Sequence, residues 1–250
     1  MSIYAVSDIH GYYDLFTQGL EEIGFSNNDF LWCLGDAIDR GSDGIKLLQH
    51  IMNHDNMDMI IGNHELMMLN SVSSSGDPVC DGQDTTLWLS ANGGEVTYEH
   101  YISLSREERE ALLAWLKQRY VIKTLDVEGR PYCLTHSFYN PNVENMRYSE
   151  MSYSNVWSIT WSSIWREDSL THAEDIYPQY DYTFINGHVS VQSIRLRQEP
   201  QAAFSQLKSI RHENVINIDG GCAIGHAAEI KNGAIFLRLD DLSEYPVELM

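Results

Sequence analysis

The feature that most constrains the fold is a turn rich in Asp, His and Asn that recurs at a regular interval near the start of the chain. Three short apolar runs each predict a buried strand, and each is followed by such a turn. The runs cover residues 3–6, 30–34 and 57–61. The turns contain Asp8, Asp36 and Asn63, which are 28 and 27 residues apart. Because this interval is about the length of one βαβ unit, the sequence predicts parallel strands with helices on their faces.

Helical spacing of apolar residues fills the intervals between these strands. It covers residues 12–23 and the stretch around residues 45–51. A third helix is predicted over residues 104–120, with Ser105 as its N-cap and Glu108 completing a capping box. The first half of the chain is therefore predicted to be βαβαβ.

The second half of the chain is predicted to add antiparallel strands. Residues 120–127 and 132–135 are strand-like and are joined by Glu128-Gly129-Arg130, which is typical of a hairpin. Further strands are predicted over residues 184–185, 215–218 and 234–239. Residues 71–86 are predicted to be a surface loop, and residues 141–165 have no assignable pattern. Trp157, Trp161 and Trp165 recur at the spacing of one helix face, which predicts core packing.

Length and composition indicate one α/β domain over residues 1–250. At 43% hydrophobic and 21% charged residues, the composition is that of a globular chain. A chain of 250 residues can bury a full core without disulfides or a structural metal. No repeat, low-complexity tract or Pro-rich linker divides it.

Two later histidines add to the polar turns. His136 and His188 each follow a strand-like run. Ligands in open α/β sheets bind beyond the carboxyl ends of strands, so these side chains are expected at one edge. Singly, an Asp after a strand is more often a helix N-cap and a histidine is often a core residue, but the ordered set favours a site. The collected set is Asp8, His10, Asp36, Asn63, His136 and His188.

These ligand types suit divalent first-row metals such as Mn²⁺, Fe²⁺ or Zn²⁺. They are too many for a single open catalytic zinc, which takes three protein ligands. They suffice for two metals that share a bridging carboxylate, an arrangement suited to in-line phosphoryl displacement. The sequence therefore predicts a two-metal centre, with Mn²⁺ as the first choice and Fe or Zn as alternatives.

Three motifs in order carry a resemblance to a known family. They are Asp8-Ile-His10-Gly, Gly35-Asp36-Ala-Ile-Asp39-Arg40-Gly41 and Gly62-Asn63-His64-Glu65. Together with the two later histidines they resemble the metallophosphoesterases, and among these the phosphoprotein phosphatases. Trp88-Leu-Ser-Ala-Asn92-Gly93-Gly94 and Ile164-Trp165-Arg166 are similar to the bacterial and bacteriophage lambda type of serine/threonine phosphatase. The resemblance implies a β-sandwich of mixed sheets flanked by helices.

The resemblance also implies a role for each matching residue. One metal would be held by Asp8, His10 and Asp36, and the second by Asp36 as bridge with Asn63, His136 and His188. Arg40 and Arg166 would bind the phosphoryl oxygens, because a guanidinium matches them in plane. His64 would protonate the leaving group, with Asp39 orienting its ring.

The expected function is metal-dependent dephosphorylation of phosphoserine and phosphothreonine proteins, with phosphotyrosine as a further substrate. The nucleophile would be a hydroxide that bridges the metals. One alternative is a symmetrical dinucleoside tetraphosphate hydrolase, a relative that often lacks an acid at the position of Asp39 and has Asp at that of Glu65. A second alternative is an inactive regulator that binds metal or phosphate. A dinucleotide-binding enzyme is excluded because no GxGxxG follows the first strand.

The net charge of the chain limits the classes of molecule that it can bind. With 16 Lys and Arg against 36 Asp and Glu, the net charge is −20, which disfavours nucleic acid and anionic membrane surfaces. The expected partners are phosphoproteins or phosphopeptides. Four widely spaced cysteines and an N-terminus without a signal-like segment predict reduced thiols and a cytoplasmic location.

Overall fold

In a computed structural model, which describes residues 1–77, 83–165 and 177–249, the strands form two mixed five-stranded sheets. The first sheet has the order β10-β9-β1-β2-β3. Its strands are β1 (Ile3–Val6), β2 (Phe30–Cys33), β3 (Met57–Met59), β9 (Gly233–Arg238) and β10 (Glu244–Glu248). The strands β1, β2 and β3 are parallel, and β9 and β10 are antiparallel additions. Because both faces of the parallel strands are covered, their sequences are almost continuously apolar.

The second sheet has the order β4-β5-β6-β8-β7. Its strands are β4 (Ile122–Val127), β5 (Arg130–Thr135), β6 (Thr183–Asn186), β7 (Ile210–His212) and β8 (Val215–Asn217). Antiparallel strands were predicted in this half of the chain, and β4, β7, β9 and β10 pair in that way. The prediction is wrong for β5, β6 and β8, which are parallel. The β4–β5 hairpin closes through Glu128 and Gly129, both with positive φ, as a two-residue type I′ turn requires.

Eight α-helices are present in the described residues. They are α1 (Tyr13–Glu22), α2 (Gly44–Met52), α3 (Asn63–Ser71), α4 (Gln83–Thr86), α5 (Glu95–Ser103), α6 (Arg106–Lys117), α7 (Tyr153–Trp161) and α8 (Val191–Gln198). A single π-helical turn, Leu87–Ala91, continues α4. The predicted capping box of α6 is present, because Ser105 Oγ accepts the Glu108 N–H and Glu108 Oε2 accepts the Ser105 N–H. None of the described helices has the length and apolar character needed to cross a membrane.

The two sheets meet at the carboxyl ends of their parallel strands. Ser7, directly after β1, pairs with Asp219, directly beyond β8. Gly187 lies so close to this junction that a Cβ there would come within 2.1 Å of both Asp8 Oδ2 and Ser7 Oγ. The junction therefore requires glycine at position 187, and it brings the strand-end turns of both sheets to one place.

The predicted α/β sandwich with a βαβαβ first half is confirmed, and three local expectations are corrected. Residues 83–86 are helical, so the loop predicted over residues 71–86 is too long; part of that range lies outside the described residues. Residues 141–165 contain α7, whose Val156 and Ile159 are buried. Since α7 ends at Trp161, Trp165 is a core residue outside the helix, whereas Trp157 and Trp161 are only partly buried.

Candidate metal centre

Each predicted ligand turn lies within four residues of a strand's carboxyl end. Asp8, Asp36 and Asn63 follow β1, β2 and β3, whereas His136 and His188 follow β5 and β6. Ten described residues other than glycine have positive φ, and six of them belong to this edge: Asp8, His10, Asp36, Asp39, Arg40 and His188. Such strained backbone concentrates at functional sites, where the surrounding structure holds it in place.

One group of potential ligand atoms is centred on Asp36. His10 Nε2 and His64 Nε2 each lie 3.8 Å from Asp36 Oδ2. The other oxygen, Asp36 Oδ1, accepts the backbone N–H of His64 at 3.0 Å. His10 Nδ1 donates to the Ile38 carbonyl at 3.0 Å. In the neutral ring Nε2 therefore carries no proton, and its lone pair faces Asp36. Ligand atoms of His10, Asp36 and His64 lie within 4.8 Å of one another.

The second group also contains Asp36, with His136 and His188. His136 Nδ1 donates to the Leu34 carbonyl at 2.8 Å, so in the neutral ring Nε2 is a lone pair. That lone pair lies 2.9 Å from Asn63 Oδ1 and 3.5 Å from Asp36 Oδ2. His136 Nε2 and Asn63 Oδ1 therefore face each other without a hydrogen between them. His188 Nδ1 lies 3.0 Å from the same Asn63 oxygen and 3.2 Å from His136 Nε2. Ligand atoms that converge in this way fit a cation.

Asp8 lies beside these groups at the junction of the sheets. Its Oδ2 accepts the backbone N–H of His188 at 3.0 Å and the Ser7 hydroxyl. Asp219 stands next to it, is 3% exposed, and its charge contributes to a raised pKa of Asp8, after the larger effect of burial. Sequence analysis left Asp219 without a role, although it follows β8 just as Asp8 follows β1.

A hydrogen-bonded pair borders the first group. His64 Nδ1 and Asp39 Oδ2 are 2.5 Å apart, and both side chains are buried. Burial lowers the pKa of His64 to about 3 and raises that of Asp39 to about 7. The indole N–H of Trp88 donates to the same Asp39 oxygen at 2.8 Å. Trp88 is a site neighbour to which sequence analysis gave no role.

A cavity of about 630 Å³ opens over both groups. Its wall includes Asp8, His10, Asp36, Asn63, His64, His188 and Asp219. Arg40 is exposed at its rim, and so is Arg197 on α8, a cation that sequence analysis missed. Arg166 lies outside the described residues. All nine other predicted site residues come together at this one edge.

Glu65 joins the turns that follow β2 and β3 by accepting hydrogen bonds from their backbones. Its Oε2 accepts the backbone N–H groups of Asp36 and Gly62, and its Oε1 accepts that of Ala37, each at 2.9 Å. The side chain is fully buried, and burial raises its pKa to about 7. The turn after β2 is thus fixed to the start of α3, which carries Asn63 and His64.

Burial dominates the electrostatics of the whole edge. It raises the pKa of both Asp8 and Asp36 well above the usual carboxyl range and lowers that of His10 well below the usual imidazole range. Divalent cations would oppose the first effect, since they stabilise carboxylates, and they would suit the second, since they bind neutral imidazoles. Carboxylate, imidazole and amide oxygen ligands around a shared Asp36 therefore fit two divalent metal ions.

Comparison with known proteins agrees with this chemistry. The family model described as calcineurin-like phosphoesterase matches residues 1–192. The chain is 31% identical over 192 residues to "Serine/threonine-protein phosphatase 2" of Salmonella typhimurium, covering 76% of this chain and 80% of that protein. It is 30% identical over 139 residues to a symmetrical bis(5'-nucleosyl)-tetraphosphatase of Chromobacterium violaceum, covering 55% of this chain and only 43% of that protein.

Solved structures share the fold at low identity. A putative diadenosine tetraphosphatase superposes with a TM-score of 0.58 at 13% identity, covering 100% of this chain and 94% of the other. A cold-active protein-tyrosine phosphatase of a Shewanella species gives a TM-score of 0.52 at 17% identity, covering 99% and 80%. At these identities the likeness concerns architecture alone.

Proposed function

The chain belongs to the calcineurin-like phosphoesterase family, and on that premise we propose that it dephosphorylates phosphoserine and phosphothreonine residues of proteins. The observation that carries this proposal is the His64–Asp39 pair, with Nδ1 and Oδ2 2.5 Å apart beside Asp36. A phosphate monoester of serine leaves as a strongly basic alkoxide, so its hydrolysis depends on a positioned proton donor. The pair provides such a donor.

The residues of the chain have distinct tasks in this proposal. Asp8, His10 and Asp36 would hold one divalent cation, and Asp36, Asn63, His136 and His188 a second. When bound, the cations supply Lewis-acid stabilisation and lower the pKa of water toward neutrality. Mn²⁺ is our first choice, with Fe and Zn as alternatives.

Phosphate binding falls to the guanidinium groups at the cavity rim. Arg40 is exposed there and can bind two phosphoryl oxygens in plane. Its backbone N–H donates to the Gly93 carbonyl at 3.1 Å, which fixes the start of the side chain. Although the protein carries a net charge of −20, salt screens distant charges, so the local cations decide at contact distance.

His64 delivers the proton in this proposal. Nδ1 is engaged by Asp39, so Nε2, which lies on the Asp36 side of the ring, is the nitrogen that can reach a leaving oxygen. Asp39 fixes the ring through Nδ1, and its carboxylate, once ionised, favours the protonated ring against the burial that lowers the pKa of His64.

Symmetrical hydrolysis of a dinucleoside tetraphosphate is the second candidate, because the Chromobacterium relative bears that name. Its leaving group is a nucleoside diphosphate, which departs without help more readily than an alkoxide. The test is a side-by-side assay of a phosphoserine peptide and diadenosine tetraphosphate with Mn²⁺. Turnover of the peptide supports our proposal, whereas turnover of the dinucleotide alone overturns it.

A further inference from the structure

Residues 88–97 contact the turn that contains Asp39 and Arg40. The segment runs from the π-helical turn Leu87–Ala91 through Asn92, Gly93 and Gly94 into α5. Single π-helical turns occur frequently at functional sites. None of the ten residues of this segment is among the predicted ligands, so its contacts with Asp39 call for an explanation.

Three hydrogen bonds join the segment to the turn. The indole N–H of Trp88 donates to Asp39 Oδ2 at 2.8 Å. The Asp39 N–H donates to Thr97 Oγ1 at 2.9 Å. The Arg40 N–H donates to the carbonyl of Gly93 at 3.1 Å. Side chain and backbone of Asp39 are thus fixed from the same segment.

The glycines allow this close approach. A Cβ at Gly94 would lie 2.4 Å from Trp88 Nε1. Gly93 has a φ of +76°, and a Cβ there would lie 3.2 Å from Arg40 Cγ. The ring of Trp88 therefore lies directly on the backbone of Gly94. With an exposure of 0%, it has no room for another orientation.

Asp39 depends on a single carboxylate oxygen. Its Oδ2 is shared by His64 and Trp88, whereas Oδ1 is buried and lacks a hydrogen-bond partner among the described residues. Without the Trp88 N–H, Oδ2 would be held by His64 alone, and the Thr97 hydroxyl would be the other side chain that favours the ionised carboxyl. The carboxylate would then be less firmly oriented. The ring of His64 would then lose its fixed direction.

We propose that Trp88 is a positioning residue for proton delivery, and that its contribution to kcat/KM grows with the basicity of the leaving group. The inference rests on the proposed function, because only a poor leaving group needs the His64–Asp39 pair. It names the substrate class more closely: alkyl phosphate monoesters use the full Trp88–Asp39–His64 arrangement. Phosphoanhydrides and activated aryl phosphates do not need it.

The test is Trp88→Phe, which keeps an aromatic ring and removes the N–H donor. Trp115→Phe is the matched control, because Trp115 on α6 is partly buried and contacts Arg119 instead of the site. Each Mn²⁺-loaded variant is assayed on phosphoserine peptide, phenyl phosphate and p-nitrophenyl phosphate. For Trp88→Phe we expect a loss of roughly 10-fold or more in kcat/KM on the peptide and about 2-fold or less on p-nitrophenyl phosphate, the scale of one charge-assisted hydrogen bond. Phenyl phosphate should fall between them.

A second measurement does not depend on turnover. In proton–nitrogen NMR spectra of the metal-free protein, the His64 Nδ1–H resonance, assigned by its loss in His64→Asn, should shift in Trp88→Phe and not in Trp115→Phe. If Trp88→Phe does not fold, Trp88→Met serves in its place, since it also removes the indole N–H that donates to Asp39 Oδ2 and its flexible side chain fills part of the space. Equal losses on all three substrates, or an unmoved resonance, would overturn the role of Trp88. Wild-type protein that hydrolyses diadenosine tetraphosphate but not the peptide would instead overturn the proposed function, and the inference with it.

Discussion

The backbone N–H of His188 donates to Asp8 Oδ2 at 3.0 Å, which joins the second sheet to the first at the centre of the candidate metal centre. The two residues are 180 positions apart in the sequence. Asp8 follows β1 and His188 follows β6, so neither sheet alone carries all the proposed ligands. Assembly of the metal centre therefore depends on docking of the two sheets, and metal binding should stabilise that docking.

The first prediction concerns metal dependence. Convergent acceptors at His136 Nε2 and Asn63 Oδ1, 2.9 Å apart, fit a cation between them. We expect chelator-treated protein to lose activity on p-nitrophenyl phosphate and to regain it with Mn²⁺. Metal analysis should return two ions per chain. Full activity in excess chelator, with no metal bound, would refute the two-metal interpretation.

The second prediction concerns Asp36, which belongs to both groups of ligand atoms. Asp36→Asn removes the charge that two cations would share. We expect metal affinity to fall by at least roughly 10- to 100-fold, since loss of even an outer-shell partner has that effect. Metal content should drop below two per chain, and kcat should fall by orders of magnitude. A variant with both metals and near-normal turnover would mean that Asp36 does not bridge.

The third prediction concerns Glu65, whose carboxylate accepts three backbone N–H groups from the ligand turns. Glu65→Gln replaces one acceptor oxygen with an NH₂ group that faces a donor. We expect a loss of about 1.5–3 kcal/mol in the free energy of unfolding, the range for a buried hydrogen bond to a charged group. Urea titration measures it.

Glu108→Gln is the matched control for Glu65→Gln. Both residues occupy the N3 position of a helix and accept the backbone N–H of the N-cap residue, but Glu108 is exposed on α6. Its substitution should leave activity and metal content unchanged. Equal effects of the two substitutions would mean that Glu65 acts only as a helix cap.

The fourth prediction concerns the stability of the metal-free protein against pH. Burial raises the pKa values of Asp39, Glu65 and Asp219 to about 7 each, from unfolded values near 4. The folded protein therefore binds these protons more tightly than the unfolded chain, and the resulting stability is lost as pH rises through 7. His64 and His136, with pKa values lowered to about 3, act in the opposite direction, but chiefly below about pH 6.5.

Between about pH 7 and pH 8, the effect of the carboxylates on stability is therefore separated from that of the histidines. We expect the Tm of chelator-treated protein to fall across this window. Mn²⁺ should reduce the fall, because cations held by the neighbouring Asp8 and Asp36 favour the ionised forms of these carboxylates. Calorimetry at both ends of the window, with and without Mn²⁺, measures the difference. A metal-free Tm that stays level or rises would show that these carboxylates are already ionised.

Much of the site could be predicted from sequence because most of its residues follow parallel strands. Regular spacing places Asp8, Asp36 and Asn63 at one edge because parallel strands share a direction. The same argument applies to Asp219, which follows β8, and the sequence signal was available there. What the spacing could not provide is the docking of the two sheets, which depends on Gly187.

The contacts of Trp88 were beyond sequence analysis for a different reason. Its motif is visible, but its partner Asp39 is 49 positions away, and a π-helical turn directs the ring toward it. The helix α5 was missed because its only buried residues are Thr97 and Tyr101, which gives almost no apolar periodicity. Local patterns predict elements, and such irregular segments are decided by tertiary contacts.

The last prediction is that His64 is a general acid and not a metal ligand. Nε2 lies 3.8 Å from Asp36 Oδ2, within the first group of ligand atoms, while Nδ1 is bound by Asp39. A general acid matters most when the leaving group is basic, and a serine alkoxide is far more basic than p-nitrophenolate. His64→Asn should therefore reduce hydrolysis of phosphoserine peptide by roughly 10²- to 10⁴-fold and that of p-nitrophenyl phosphate much less. Metal content should stay near two per chain, because the six proposed ligands remain, and Asp39→Asn should give a milder version of the same pattern. Equal losses on both substrates, or loss of a metal ion from His64→Asn, would assign His64 to phosphate or metal binding and place the acid elsewhere.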